Sequence, residues 1–229
     1  MKKIIISVFL SIQLLLYLLS VYIDTNFPTN VLEYLIIVIN FIFGFYLMLK
    51  IKSKDSLLTL IALFFTLIAD TFLVLLAKYQ TIAMLSFSIT QMFYFLKIKN
   101  LSKENKINKY DYIRLISVIS FLIIVTISTI KNFDLLILIT TFYFIMLLFN
   151  FIDSLKTFKK YPLFSIGLFL FICCDIFVGL NFLKNSLPSI SIINFLLNIK
   201  FVDMVWFFYA PSQVILTLSI LSIKKTEIV

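Results

Sequence analysis

The stretch SLLTLIALFFTLIADTFLVLLA, residues 56–77, decides the fold. Its 22 residues carry one charge, Asp70. At a rise of about 1.5 Å per residue they form a helix about 33 Å long, enough to cross the ~30 Å hydrocarbon core of a bilayer. Seven further apolar runs of similar length follow the same pattern, at roughly 4–23, 31–49, 80–98, 111–130, 133–151, 162–183 and 202–222. The first begins behind Lys2 and Lys3 like a signal peptide, but its apolar stretch is long and no small-residue cleavage site follows, so it reads as a span. The expectation is an all-α, polytopic membrane protein, with residues 1–229 forming a single transmembrane domain of eight helices.

The composition agrees with this reading. Of 229 residues 62% are hydrophobic and 14% charged, with a mean hydropathy of +1.11, values that exclude an ordinary soluble domain and a disordered chain. The net charge of +9 needs no nucleic acid to explain it. With both termini placed inside, the inner segments hold 16 of the 20 cations and the outer ones only Lys78, Lys131, Lys184 and Lys200. Adding or dropping one span spoils that split, so the positive-inside rule supports eight spans with both ends cytoplasmic, in the cytoplasmic membrane of a bacterium, beside anionic lipid. The one long outer connection, 184–201, contains an apolar stretch from Ile190 to Leu197 too short to span; it rests on the outer interface or folds back over the bundle as a lid.

Two absences narrow the chemistry. The chain has no histidine, which removes the Ser-His-Asp and Cys-His nucleophile systems and histidine-ligated metals. Its two cysteines, Cys173 and Cys174, are adjacent, a spacing that suits neither a metal site nor a disulfide. No metal and no cofactor is expected, and the chemistry falls to carboxylates, amides and hydroxyls.

Those groups recur at matched depth. Asp70-Thr71-Phe72 in the third span is echoed by Asp175-Ile176-Phe177 in the seventh at an offset of 105, and Gln91 in the fourth is answered loosely by Gln213 in the eighth. An even number of spans separates the copies, as in two parallel four-helix repeats. The other acidic residues fall in loops or at span ends and read as solvated charges, whereas Asp70 and Asp175 lie well inside their helices. A carboxylate there costs about 2.5–3.5 kcal/mol on insertion scales and ordinarily faces a bundle interior or a wet cavity. Thr59, Thr66 and Asp70 share a face of the third span; Thr81, Ser88, Gln91 and Tyr94 form a stripe on the fourth; Trp206, Tyr209, Gln213 and Thr217 form one on the eighth, where Pro211 removes a backbone donor. Asp203 stands at the outer mouth. Packing explains hydroxyl stripes well, but interhelical adhesion does not require a carboxylate.

Ala69-Asp70-Thr71-Phe72-Leu73, Gln91-Met92-Phe93-Tyr94, Cys174-Asp175-Ile176-Phe177-Val178-Gly179-Leu180 and Tyr209-Ala210-Pro211-Ser212-Gln213 together resemble the lysoplasmalogenase (YhhN-like) family of membrane proteins. The chain departs from the family pattern at Ala69, usually Gly, at Cys174, commonly Ser, and in lacking a Lys-Pro-Leu signature in the second span. The resemblance implies a hydrolase that opens the vinyl-ether bond of a lysophospholipid, releasing a fatty aldehyde and a glycerophospho-headgroup. That reaction needs one carboxyl to protonate the β-carbon and one carboxylate to stabilise the resulting cation and activate water, the division of labour used in glycoside hydrolysis. Asp70 and Asp175 are the expected catalytic pair. Gln91 and Gln213 are expected to orient water or the ether oxygen, Tyr94 and Tyr209 to assist as donors, and Asp203 to meet a cationic headgroup. The rival readings are a proton-coupled transporter, in which paired aspartates carry protons, and a non-catalytic lipid-binding protein.

Overall fold

The computed structural model describes residues 3–22, 28–102, 109–128, 134–186 and 203–222. They form α1 (Lys3–Tyr22), α2 (Thr29–Ile51), α3 (Lys54–Asp70, continued as a π-helical turn over Thr71–Leu75), α4 (Gln80–Leu101), α5 (Lys109–Ser128), α6 (Leu135–Leu155), α7 (Pro162–Ser186) and α8 (Met204–Ser222). There is no strand among the described residues. The apolar segment Ile190–Leu197, read above as a lid or an interfacial stretch, lies outside them.

Helix ends follow from local chemistry. Ser53 and Ser56 exchange side-chain and backbone hydrogen bonds at 3.1 Å in a reciprocal cap that starts α3. Asp134 accepts from the Leu136 N–H and Asp203 from the Val205 N–H, capping α6 and α8. Lys52, at φ 52°, ends α2 by donating its N–H to the Met48 carbonyl.

Among the described residues, seven helices are long and apolar enough to cross a membrane. The remaining one, α5, carries Lys109, Asp111 and Arg114 in its first six residues, and the uncharged run behind them in the sequence, 115–130, is 16 residues long. The bundle closes on itself: α2 packs on α3, α3 on α4, α4 on α6, α6 on α7, α7 on α8, and α8 on α2. Outside this ring of six, α1 leans on α2 and α8, and α5 leans on α6. Advancing each helix number by four maps α1–α2 onto α5–α6, α2–α3 onto α6–α7, α3–α4 onto α7–α8, and α8–α2 onto α4–α6. That is the packing order two parallel four-helix halves produce. The ring's outer face is apolar, with side chains such as Phe45, Phe64, Met92 and Phe169 exposed, as lipid contact requires.

Candidate functional site

The third helix brings Thr59, Thr66 and Asp70 into the ring, all buried and Asp70 only 1% exposed. Asp70 is the last α-helical residue before the π turn, whose Leu76 N–H reaches back to the Thr71 carbonyl at 2.9 Å. A π turn is a frequent companion of functional sites because it re-aims the residues beside it. Here it is pinned from α2 by the Tyr34 hydroxyl, 2.9 Å from Thr71 Oγ1. Asp70 therefore lies nearer one end of the bundle than its middle: α8 begins at that end, and its sixth residue, Tyr209, donates its hydroxyl to Asp70 Oδ2 at 2.5 Å.

Asp175 on α7 is half-buried and receives the Tyr143 hydroxyl of α6 at 2.6 Å. Each intramembrane carboxylate thus has a phenol of its own. Phe171, one turn before Asp175, lies between the two pairs, its ring centroid 6.3 Å from that of Tyr143 and 5.5 Å from that of Tyr209. Phe87 of α4 completes the layer, 5.5 Å from Tyr143 and 5.9 Å from Phe171. The two carboxyl groups share no hydrogen bond with each other; the Phe171 ring packs beside the phenols of both. Asp175 has the more open position and Asp70 the enclosed one.

One helical turn further along lies a layer of amides. Gln91 follows Phe87 by four residues on α4, and Gln213 follows Tyr209 by four on α8, so each stacks beneath an aromatic of the upper layer. Both glutamines and Tyr94 are completely buried. Among the described residues, Gln91 Nε2, the Tyr94 hydroxyl and both amide atoms of Gln213 have no hydrogen-bond partner. Buried polar atoms are nearly always satisfied, so a group of orphans around one site marks the place of a water or a ligand.

Asp203 is exposed at the end of the bundle where α8 begins, where it caps that helix and lies within electrostatic reach of Glu33 on α2 and Tyr17 on α1. Glu33 is half-buried there, more involved than a solvated loop charge.

Four contributors escaped the sequence reading. Tyr143 is indistinguishable by type from the other ten tyrosines, and only the rotation of α6 against α7 brings it to Asp175. Asn150 is an amide inside an apolar run, which was a usable signal; it donates to the carbonyl and to Oε1 of Gln91 at 2.8 and 2.9 Å. Lys97 and Arg114 counted as end charges. Yet α4 runs on to Leu101, and Lys97 is 1% exposed, donating at 2.8 Å to both Thr59 and Ser219 hydroxyls with Nζ 4.3 Å from the Phe164 ring centre. Arg114 is buried against Asn150 and Asp153. Asp55, also read as a solvated end charge, is buried and accepts from Asn100 at 2.6 Å. Gly179 and Asn181, one turn and more beyond Asp175, are exposed and add nothing to the interior.

A closed helical ring with two carboxylate–phenol pairs over a floor of unsatisfied amides defines a polytopic membrane protein with a buried polar centre. The family to which the chain belongs is the YhhN family, which matches residues 25–220. No curated protein and no solved structure matches it.

Proposed function

We propose that the protein is a hydrolase of lysoplasmalogen type, opening the vinyl-ether bond of a lysophospholipid with Asp70 and Asp175 as its acid–base pair. The observation that carries this reading is the pair of intramembrane carboxylates, each held by a tyrosine hydroxyl on either side of Phe171. A carboxyl fixed by a phenol keeps one oxygen directed and the other free to exchange a proton, which is what a positioned acid or base requires.

The reaction is R–CH=CH–O–R′ + H2O giving R–CH2–CHO + HO–R′. One carboxyl delivers its proton to the β-carbon, and the α-carbon becomes an oxocarbenium ion facing the remaining carboxylate. Water, deprotonated by that carboxylate, adds to the cation. The hemiacetal collapses as the second carboxyl gives its proton to the departing glycerol oxygen and the first takes the hemiacetal's hydroxyl proton, restoring the starting protonated and ionised carboxyls. Asp175, on the open side, meets the enol ether arriving from the bilayer, while enclosed Asp70, with Gln91, Gln213, Tyr94 and Tyr209 near it, holds the water. Asp203 and Glu33 at the mouth suit an ammonium headgroup. The aldehyde's chain leaves along the apolar outer surface.

The test compares aldehyde release from a vinyl-ether lysophospholipid with cleavage of its ester analogue by purified protein in detergent at neutral pH. Aldehyde is expected from the vinyl ether alone, and Asp70→Asn and Asp175→Asn are each expected to lower kcat by about 10²–10⁴, the usual share of a general acid or base. Full rates in either variant would overturn the pair. Lysolipid binding without aldehyde would make the protein a lipid binder, and proton-coupled uptake into vesicles, lost in the Asn variants, a transporter.

A further inference from the structure

Arginine has donors and no acceptor, so an amide that bonds to it must present its oxygen. Arg114 Nη2 donates to Asn150 Oδ1 at 2.9 Å, while Nη1 lies 3.4 Å from Asp153 Oδ2 and the guanidinium stacks 4.2 Å from the Phe95 ring centre. With its oxygen committed to Arg114, Asn150 has only its Nδ2 donors for its other neighbour. Those donors go to the carbonyl and Oε1 of Gln91. The Gln91 amide therefore turns its oxygen toward Asn150 and keeps Nε2, the buried atom with no partner among the described residues, for whatever occupies the site.

The two ends of an amide are ordinarily interchangeable as far as shape is concerned. A chain that starts at a group unable to accept removes that freedom link by link. Gln213, on the opposite side, has no such tether: among the described residues neither of its amide atoms has a partner. We infer that Arg114, acting through Asn150, is a positioning residue that fixes Gln91 as a hydrogen-bond donor toward the bound substrate's ether oxygen or the water that attacks it. This accounts for a buried cation on α5, a helix that otherwise stands outside the ring and packs chiefly on α6. The inference rests on the hydrolase reading given above.

Asn150→Asp is the discriminating variant. The new carboxylate still accepts from Arg114 but cannot donate, so the Gln91 amide must reverse and offer Oε1 to the site. Two readouts apply to full-length protein: vinyl-ether hydrolysis, and binding of the saturated alkyl-ether lysophospholipid followed by fluorescence of Trp206. Trp206 is the single tryptophan of the chain, with its ring centroid 5.3 Å from that of Tyr209. Asn150→Asp is expected to keep the thermal midpoint near wild type, because its carboxylate faces a guanidinium, and to lose at least tenfold in kcat or in analogue affinity. In a Gln91→Leu background the same substitution is expected to add no further loss, and Arg114→Lys, which keeps a donor, to retain more activity than Arg114→Met.

Wild-type kcat and affinity in Asn150→Asp would overturn the inference alone and leave the hydrolase reading standing. So would an undiminished additional loss in the Gln91→Leu background, which would assign the effect to the Asn150 bond with the Gln91 carbonyl. Neither aldehyde release nor analogue binding by the wild type would overturn both. Binding without turnover would remove the hydrolase reading and let the affinity comparison decide the positioning role.

Discussion

Asp70 and Asp175 share a residue type and an acquired phenol, and differ in enclosure. The Tyr209 hydroxyl is a fixed donor at 2.5 Å to a carboxylate sealed from solvent, whereas Asp175 is half-buried and has room for a replacement partner. A hydrogen bond to a charged group is worth about 1.5–3 kcal/mol when its loss leaves a buried acceptor unmet. Tyr209→Phe is therefore expected to cost about ten- to a hundredfold in kcat, and Tyr143→Phe measurably less, in steady-state aldehyde release from detergent-solubilised protein. Equal losses would mean that enclosure does not distinguish the two carboxylates. The aspartates themselves were legible in sequence, because a carboxylate deep in an apolar run is costly enough to need a reason. Of their two tyrosines, Tyr209 stood in the polar stripe of the eighth span, and Tyr143 did not stand out. Whether Tyr143 meets Asp175 depends on how α6 is rotated against α7, and no spacing along one helix encodes a rotation between two. Gln91, Gln213 and Tyr94 stood out as a stripe, and the structure adds what a stripe cannot say: which of their atoms are already bonded.

Helices in a bilayer gain little from burying apolar surface against one another, so close approach is achieved with small residues at crossings. Of the three glycines, Gly167 on α7 makes the tightest demand. A Cβ there would meet Leu216 of α8 at 2.7 Å from Cγ, 2.8 Å from Cδ2 and 3.2 Å from the backbone nitrogen. The nearby Ser212 hydroxyl donates to the Gly167 carbonyl at 3.0 Å, so the crossing carries both contact and polarity. At Gly44 on α2 the nearest atom is Leu63 Cδ1, the far end of a side chain, and at Gly179 nothing lies within 4 Å. Gly167→Ala is expected to destabilise by about 1–3 kcal/mol, the cost of overpacking a fitted contact. Gly44→Ala should cost less and Gly179→Ala nothing, as read from thermal midpoints of the three variants in one detergent. A neutral Gly167→Ala would show that α7 and α8 part without penalty. The starts of α3 and α6, read at 56 and 133, fall within two residues of the observed ones, Lys54 and Leu135. The ends of α4 and α6, read at 98 and 151, fall short, because the helices run on to Leu101 and Leu155. A lysine near a span's end counts as solvated until the neighbouring helices present hydroxyls, as Thr59 and Ser219 do, and those belong to α3 and α8.

At the scale of the molecule, charge separates the two ends of the bundle. One end carries Lys50, Lys52, Lys54 and Lys99 together with the turn 156–160, which contains three lysines; the other carries Lys78 and Lys184. Lys97 and Arg114 entered the sequence tally as end charges and are buried, bonded to Thr59, Ser219, Asn150 and Asp153. Removing both leaves the asymmetry intact, because the bias rests on cations beside the span ends and long buried side chains were never its main part. The lysine-rich end is accordingly expected to face the cytoplasm, which puts the mouth at Asp203 and the carboxylate layer on the outer side. Single cysteines test this in a background of Cys173→Ser and Cys174→Ala. Lys78→Cys lies in the exposed turn before α4 and Lys159→Cys in the exposed turn before α7, at opposite ends of the bundle. In intact bacterial cells a membrane-impermeant maleimide is expected to label position 78 and to reach position 159 only after permeabilisation. The reverse pattern would invert the protein, direct Asp203 and Glu33 to the inner leaflet, and require the substrate to arrive from the cytoplasmic side. Labelling of both positions in intact cells would mean that an even number of spans separates them. The interval contains α4, α5 and α6, so that result would identify α5, with three charges in its first six residues, as the helix that does not cross.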